Sequence, residues 1–276
     1  MKYFLAVILA FSLNLGIFAQ SEVVLIAHNN YLVGGVQNGK WLKDTDVLNS
    51  IEKPAKFVGF DSFKNANLSE IYGTVGEMGC GANYFFFGKT TRIPEDVFGD
   101  GSLKPVLAIG SNAKWNPLPR MPKKLASSDQ NLNKIALDFL KTKGINAKSI
   151  KLENAFSIDL EGDGTAEIFI EATNYKNPNG EIGSTARAGS YSFVLMRKTV
   201  GGKPQNFLVA GEFHPKKPTD EDYITESDLS AFADLNGDGK MEVVLENTYS
   251  YGGESTEIFE WSKTKLDNVL SVECGD

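Results

Sequence analysis

The chain has few of the side chains that most often carry chemistry. Among 276 residues there are two cysteines, Cys80 and Cys274, and two histidines, His28 and His214. That supply is too small and too scattered for a zinc cluster, and it leaves no third histidine for a catalytic metal triad. No Gly-x-Ser-x-Gly elbow and no His-Glu-x-x-His motif occurs, so the commonest hydrolase and metalloprotease constellations are missing. Positive charge is also short: 28 Lys and Arg face 35 Asp and Glu, a formal net charge of -7. An acidic chain is poorly suited to nucleic acid or an anionic membrane as partner.

No apolar run approaches the roughly 20 residues that span a bilayer. The N-terminal run, Phe4 to Leu13, follows Lys2, is broken by Ser12 and Asn14, and leads through Gly16 to Ala19 before Gln20. This is the pattern of a secretory signal peptide over residues 1–19, with cleavage expected after Ala19; a membrane anchor is the competing reading. Export places the mature chain, about 257 residues, in a periplasmic or extracellular setting as a soluble monomer without membrane insertion. It reads as one β-rich domain over 20–276, with an N-terminal half at 20–122 and a repeat-bearing half at 123–276. In an oxidising compartment a Cys80–Cys274 bridge is expected, with two buried free thiols as the alternative.

What the chain does have is two loops of nearly the same grammar. Asp159-Leu-Glu-Gly-Asp163-Gly164-Thr-Ala-Glu167 is matched by Asp234-Leu-Asn-Gly-Asp238-Gly239-Lys-Met-Glu242. Oxygens at positions one, three and five converge on a hard cation when the backbone turns sharply at position six, where Gly164 and Gly239 stand. The candidate calcium ligands are therefore Asp234, Asn236, Asp238, the Lys240 carbonyl and Glu242, and in the first loop Asp159, Glu161, Asp163, the Thr165 carbonyl and Glu167. One or two ions would be held. Position twelve, where an EF-hand needs a bidentate acid, carries Ile170 and Leu245, so neither loop is an EF-hand. Each loop instead runs into a strand-forming segment, Ile168-Phe169-Ile170 or Val243-Val244-Leu245. The same residues also suit tight hairpin turns that hold no metal.

This Asp-x-(Asp/Asn/Glu)-x-Asp-Gly-x-x-Glu pattern before a short apolar strand resembles the FG-GAP and VCBS-like repeats of extracellular β-propellers. Further pieces resemble a group of secreted bacterial proteins carrying such repeats: Ala186-Arg187-Ala188-Gly189 before a strand, Tyr249 to Gly253, and the closing Val269 to Gly275. The resemblance implies a mainly β fold of propeller-like or incomplete-propeller antiparallel sheets. The chain length allows four or five blades of usual size, and two clear copies do not close a ring. Asp96 to Gly101 looks like a decayed third copy, with Phe98 at position three and Lys104 at position nine.

Strands are expected from Val23 to Trp41 (with turns at Asn29-Asn30 and Asn38-Gly39), and at Lys56 to Phe60, Ser69 to Val75 and Tyr84 to Phe87. Pro105 to Pro122 reads as an irregular crossing loop. One helix is expected at about 128–143, capped by Ser128, with Leu132, Ile135, Ala136, Phe139 and Leu140 on one face and Gly144 ending it. Strands follow around both loops, with a Gly201-Gly202 hairpin between them. The function this supports is a secreted calcium-binding β module with a binding or structural role toward an unknown protein or glycan ligand, and no catalytic residues. A calcium-stabilised exported hydrolase and a dockerin-like interaction module are the alternatives. A dockerin loop would enter a helix and keep an acid at position twelve.

Overall fold

Turn chemistry cuts the N-terminal part into strands. Asn29 (φ 46°), Asn38 (φ 54°) and Gly39 (φ 71°) take left-handed backbone, which Asn and Gly reach at least cost. They separate β1 (Val24–His28), β2 (Tyr31–Gln37) and β3 (Lys40–Lys43). A one-turn helix, α1 (Asp44–Val47), leads on toward β4 (Ala55–Phe60), β5 (Ser69–Glu77), β6 (Asn83–Gly88) and β7 (Leu107–Gly110). The computed structural model describes residues 22–29, 31–51, 55–61, 63, 69–77, 83–88, 107–177, 179, 182–218 and 223–274. The expected signal peptide (1–19), Cys80 and the expected decayed copy at Asp96 to Gly101 lie outside these residues.

The first sheet has the order β1-β7-β4-β5-β6-β2-β3, with β1 also paired to β2. One expectation is corrected here, because Leu107–Gly110, inside the proline-rich stretch, is a strand. Its four residues are all buried between β1 and β4, and a run that short shows no periodicity amid prolines. From Ser111 to Pro122 the chain is irregular, as expected.

The second sheet, order β12-β11-β10-β9-β8, comprises β8 (Lys123–Lys124), β9 (Asn154–Ile158), β10 (Glu167–Thr173), β11 (Ser190–Val200) and β12 (Lys203–His214). The helix α2 (Gln130–Thr142) lies between β8 and β9. Its cap is Asp129, not Ser128: the Asp129 carboxylate accepts from Asn131 and Leu132 N–H, and Ser128 sits one residue too early for that reach. Leu132, Ala136, Phe139 and Leu140 are buried against Ala155, Ile170, Phe193 and Leu195 of the second sheet. The helix face is thus used in packing.

The third sheet is a meander of β13 (Thr225–Ala233), β14 (Glu242–Tyr249), β15 (Glu254–Ser262) and β16 (Lys265–Cys274). Alternation gives it two apolar faces. Ala231, Ala233, Val244, Ile258 and Leu270 meet the first sheet at Ile26, Val33 and Ile109. Phe232, Val243, Leu245 and Trp261 meet the second sheet at Phe156, Phe169, Val194 and Met196. The third sheet is therefore the middle layer, and α2 covers the far face of the second. Among the described residues the architecture is mainly β, in three antiparallel sheets, the first of which closes on itself through the β1–β2 pairing, an incomplete propeller-like arrangement smaller than the four or five blades the length allows.

Candidate functional site

Each oxygen-rich loop joins two neighbouring antiparallel strands, β9 to β10 and β13 to β14. Their internal wiring is the same except at the position-five amide, which donates to Asp159 in the first loop and to Asn236 in the second. Asp159 accepts from Gly162 N–H through Oδ1 at 2.7 Å and from Gly164 N–H through Oδ2 at 2.8 Å. Asp234 accepts from Gly237 N–H at 2.7 Å and Gly239 N–H at 3.0 Å. Asp163 and Asp238 accept from the N–H groups of Thr165 and Lys240 at 2.7 and 2.8 Å, and Asn236 from Asp238 N–H at 2.9 Å. Glu167 and Glu242 are fully buried, and Oε2 of each reaches back to the position-two amide, Leu160 at 2.9 Å and Leu235 at 2.7 Å. Both loops thus gather their predicted side chains at one end of a hairpin. Among the described residues, no three His, Cys, Asp or Glu side chains already converge into a metal cage.

The loops differ in charge balance. In the first, Lys198 of β11 places Nζ 2.6 Å from Glu167 Oε1 and also ion-pairs Glu161. Asp159 is lowered from its ordinary range: burial pushes it up, but the amides of Gly164, Gly162 and Asp163 and the Arg120 guanidinium outweigh that. In the second loop burial raises Asp234, helped by the Asp238 charge and opposed by the Gly237 and Gly239 amides. Glu242 is raised well above the carboxylate range by burial, then by Asp234, Asp238 and Glu260. Two buried side-chain oxygens among the described residues lack a hydrogen bond, Glu226 Oε1 and Glu242 Oε1. Glu226 Oε1 has the Lys176 ammonium 2.8 Å away. Glu242 Oε1 is left with neither a hydrogen bond nor a cation, a costly state for a buried acid.

A segment with no obvious signal in the sequence straps both loops. Arg120 donates to the Asp159 and Leu160 carbonyls of the first loop and, at 2.7 Å, to the Gly239 carbonyl of the second. Trp115 Nε1 donates to the Asp234 carbonyl at 2.8 Å, and Asp234 N–H donates to the Pro117 carbonyl. The strap explains the glycine at position four. Gly237 has φ 77° and a Cβ there would come within 2.8 Å of the Trp115 ring. The loops also touch directly, Met241 N–H donating to the Leu160 carbonyl at 2.8 Å.

His28 lies 2.5 Å from Ser230 Oγ and 2.8 Å from Thr256 Oγ1. The pairing superficially resembles a nucleophile and its base, but His28 is fully enclosed and Ser230 is buried. Burial lowers the imidazole pKa to about 3, so the ring is neutral and pins β1 to β13 and β15. An open cleft of about 790 Å³ borders Gly144, Glu153, Lys176 and Tyr191, away from both loops. Lys176 there is ion-paired with Glu226.

Comparison with known proteins finds no matching family model, curated protein or solved structure.

Proposed function

We propose that the chain is an exported FG-GAP/VCBS-like β module that binds calcium and serves a binding or structural role, without catalysis. The observation that carries the reading is Glu242 Oε1, a buried and unpartnered carboxylate oxygen facing the charges of Asp234 and Asp238. Asp234, Asn236, Asp238, Glu242 and the Lys240 carbonyl would hold the ion. A divalent cation there would supply the counter-charge that Glu242 lacks, Asp238 having only the Lys240 ammonium 3.5 Å away. Asp159, Glu161, Asp163, Glu167 and the Thr165 carbonyl form the sister set. Calcium suits such a flexible, oxygen-only set better than magnesium does. No helix among the described residues is long and apolar enough to cross a membrane.

An ion that binds only the folded loop adds about 2.7 kcal/mol at a hundredfold excess over its dissociation constant. For a chain of this size that is a rise in Tm of roughly 5 to 10 °C. Thermal unfolding in chelator and in millimolar calcium measures it, and Asp238→Ala is expected to abolish the rise. Equal Tm values for the parent protein in both buffers would leave the loops as turns only.

The reading includes a Cys80–Cys274 bridge. Cys274 ends β16 and is not a free thiol, which supports it. A bridge over so long a loop stabilises by roughly 3 to 5 kcal/mol through the unfolded state. Non-reducing peptide mapping of the exported chain should recover the linked pair, whereas two alkylatable thiols would exclude it. Ester, glycoside, peptide and phosphate substrates are expected to show no turnover. A rate lost on a single carboxylate substitution that leaves fold and metal content intact would reverse that expectation.

A further inference from the structure

The two loops are paired by register with one more residue each, and the two residues have opposite charge. The β10–β11 ladder runs to the pair Ile168 and Arg197, so the next opposed positions are Glu167 and Lys198. The β14–β15 ladder runs to Val243 and Phe259, so the next opposed positions are Glu242 and Glu260. Opposed residues of an antiparallel pair project from the same face. Lys198 and Glu260 thus occupy the same place relative to their loops.

At that place Lys198 is 7% exposed and touches Glu167 and Glu161, two of the five groups that would hold an ion in the first loop. Its Nζ also lies 5.3 Å from the centre of the Trp261 ring, where a cation is favoured. An ammonium and a calcium ion cannot share those oxygens. In the second loop Glu260 adds a fourth carboxylate in place of the ammonium. Its Oε2 accepts from Trp41 Nε1 at 3.0 Å, which fixes the side chain. Glu242 Oε1 matches the oxygen that Lys198 satisfies in the first loop, and it has no partner.

We propose that Lys198 is a built-in cation closing the first loop without metal, while Glu260 makes the second loop the one divalent-cation site of the chain. The inference rests on the calcium reading above and narrows it to a stoichiometry and to two residues that set it. The residue that sets the two loops apart lies 31 positions beyond Glu167.

Native mass spectrometry of the exported full-length chain, titrated with calcium chloride, tests both levels. The parent protein should carry one ion, and Asp163→Asn, in the first loop, should still carry one with unchanged affinity. Glu260→Lys should carry none and should melt no lower in chelator than the parent, because it brings its own cation. If that variant does not fold, Glu260→Gln should bind calcium at least tenfold more weakly. Two ions on the parent, loss of the ion in Asp163→Asn, or undiminished binding when Glu260 is replaced would overturn the inference and leave the calcium reading standing. No ion on the parent at millimolar calcium would overturn both.

Discussion

Replacing Phe232 with alanine should cost about 3 to 5 kcal/mol of folding stability, the range for removing a fully buried phenylalanine. Phe232 is completely enclosed in the interface between the second and third sheets. Its ring centre lies 4.8 Å from that of Phe169, 5.8 Å from Phe63 and 6.4 Å from Phe156, and Phe63 stacks on Phe156 at 4.5 Å. The cavity would be hard to fill by collapse, because hydrogen-bonded ladders hold the walls on both sides. Leu208, 37% exposed on β12, is the control, and Leu208→Ala should fall within about 0.5 kcal/mol of the parent. Denaturant unfolding at fixed calcium measures both. A loss below about 1 kcal/mol for Phe232→Ala would mean that this aromatic cluster does not hold the layers together.

The second large effect is one of pH. Glu171 on β10 is buried between the second and third sheets, where Oε2 accepts from Leu229 N–H and Oε1 from Asn154 Nδ2. Burial, and then the nearby Asp228 charge, raise it from 4.5 to about 7. The other charges facing it are Lys176, which lowers it, with Glu226 and Glu153 beside that lysine. Asp228 is also raised, chiefly by burial. Below pH 4.5 Glu171 is protonated in both the folded and the unfolded chain. Between 4.5 and 7 the unfolded chain releases the proton while the folded one keeps it, so stability falls as pH rises through this window. The loss is on the order of 3 kcal/mol at about 1.4 kcal/mol per pKa unit. In metal-free buffer Glu171→Gln should remove the Glu171 share of the slope and leave the share of Asp228, Asp234 and Glu242, which burial also raises. A parent and variant whose stabilities change equally between pH 5 and pH 8 would show that Glu171 is ionised in the fold.

The strands around both loops were legible because their signals are local: a turn residue, an apolar exit, a β-branched run. Val243 to Leu245 after Glu242 and the Gly201-Gly202 hairpin are of this kind. Leu107–Gly110 was not, because its burial comes from β1 and β4, about 80 and 50 residues away in the chain. The site divides in the same way. The spacing of Asp234, Asn236, Asp238 and Glu242 could be read directly, but Arg120, Trp115, Lys198 and Glu260 act on the loops across long sequence separations. A lysine inside a strand gives no hint that it will meet Glu161 and Glu167. The opposite charges of Lys198 on β11 and Glu260 on β15 become comparable only once the two ladders have been aligned.

The middle position of the third sheet also fixes an order of events during synthesis. The chain grows from its N-terminus, so the first and second sheets emerge before Thr225 to Cys274, the segment that separates them. Until then Ile26, Val33 and Ile109 on one side, and Phe156, Phe169 and Val194 on the other, have no partner surface. Sticky half-cores of this kind invite wrong association between chains. Completion of the core must therefore wait until Thr225 to Cys274 has been made, and a ribosome-bound or truncated chain ending before β13 should behave as an aggregation-prone, chaperone-dependent intermediate, not as a smaller version of the fold.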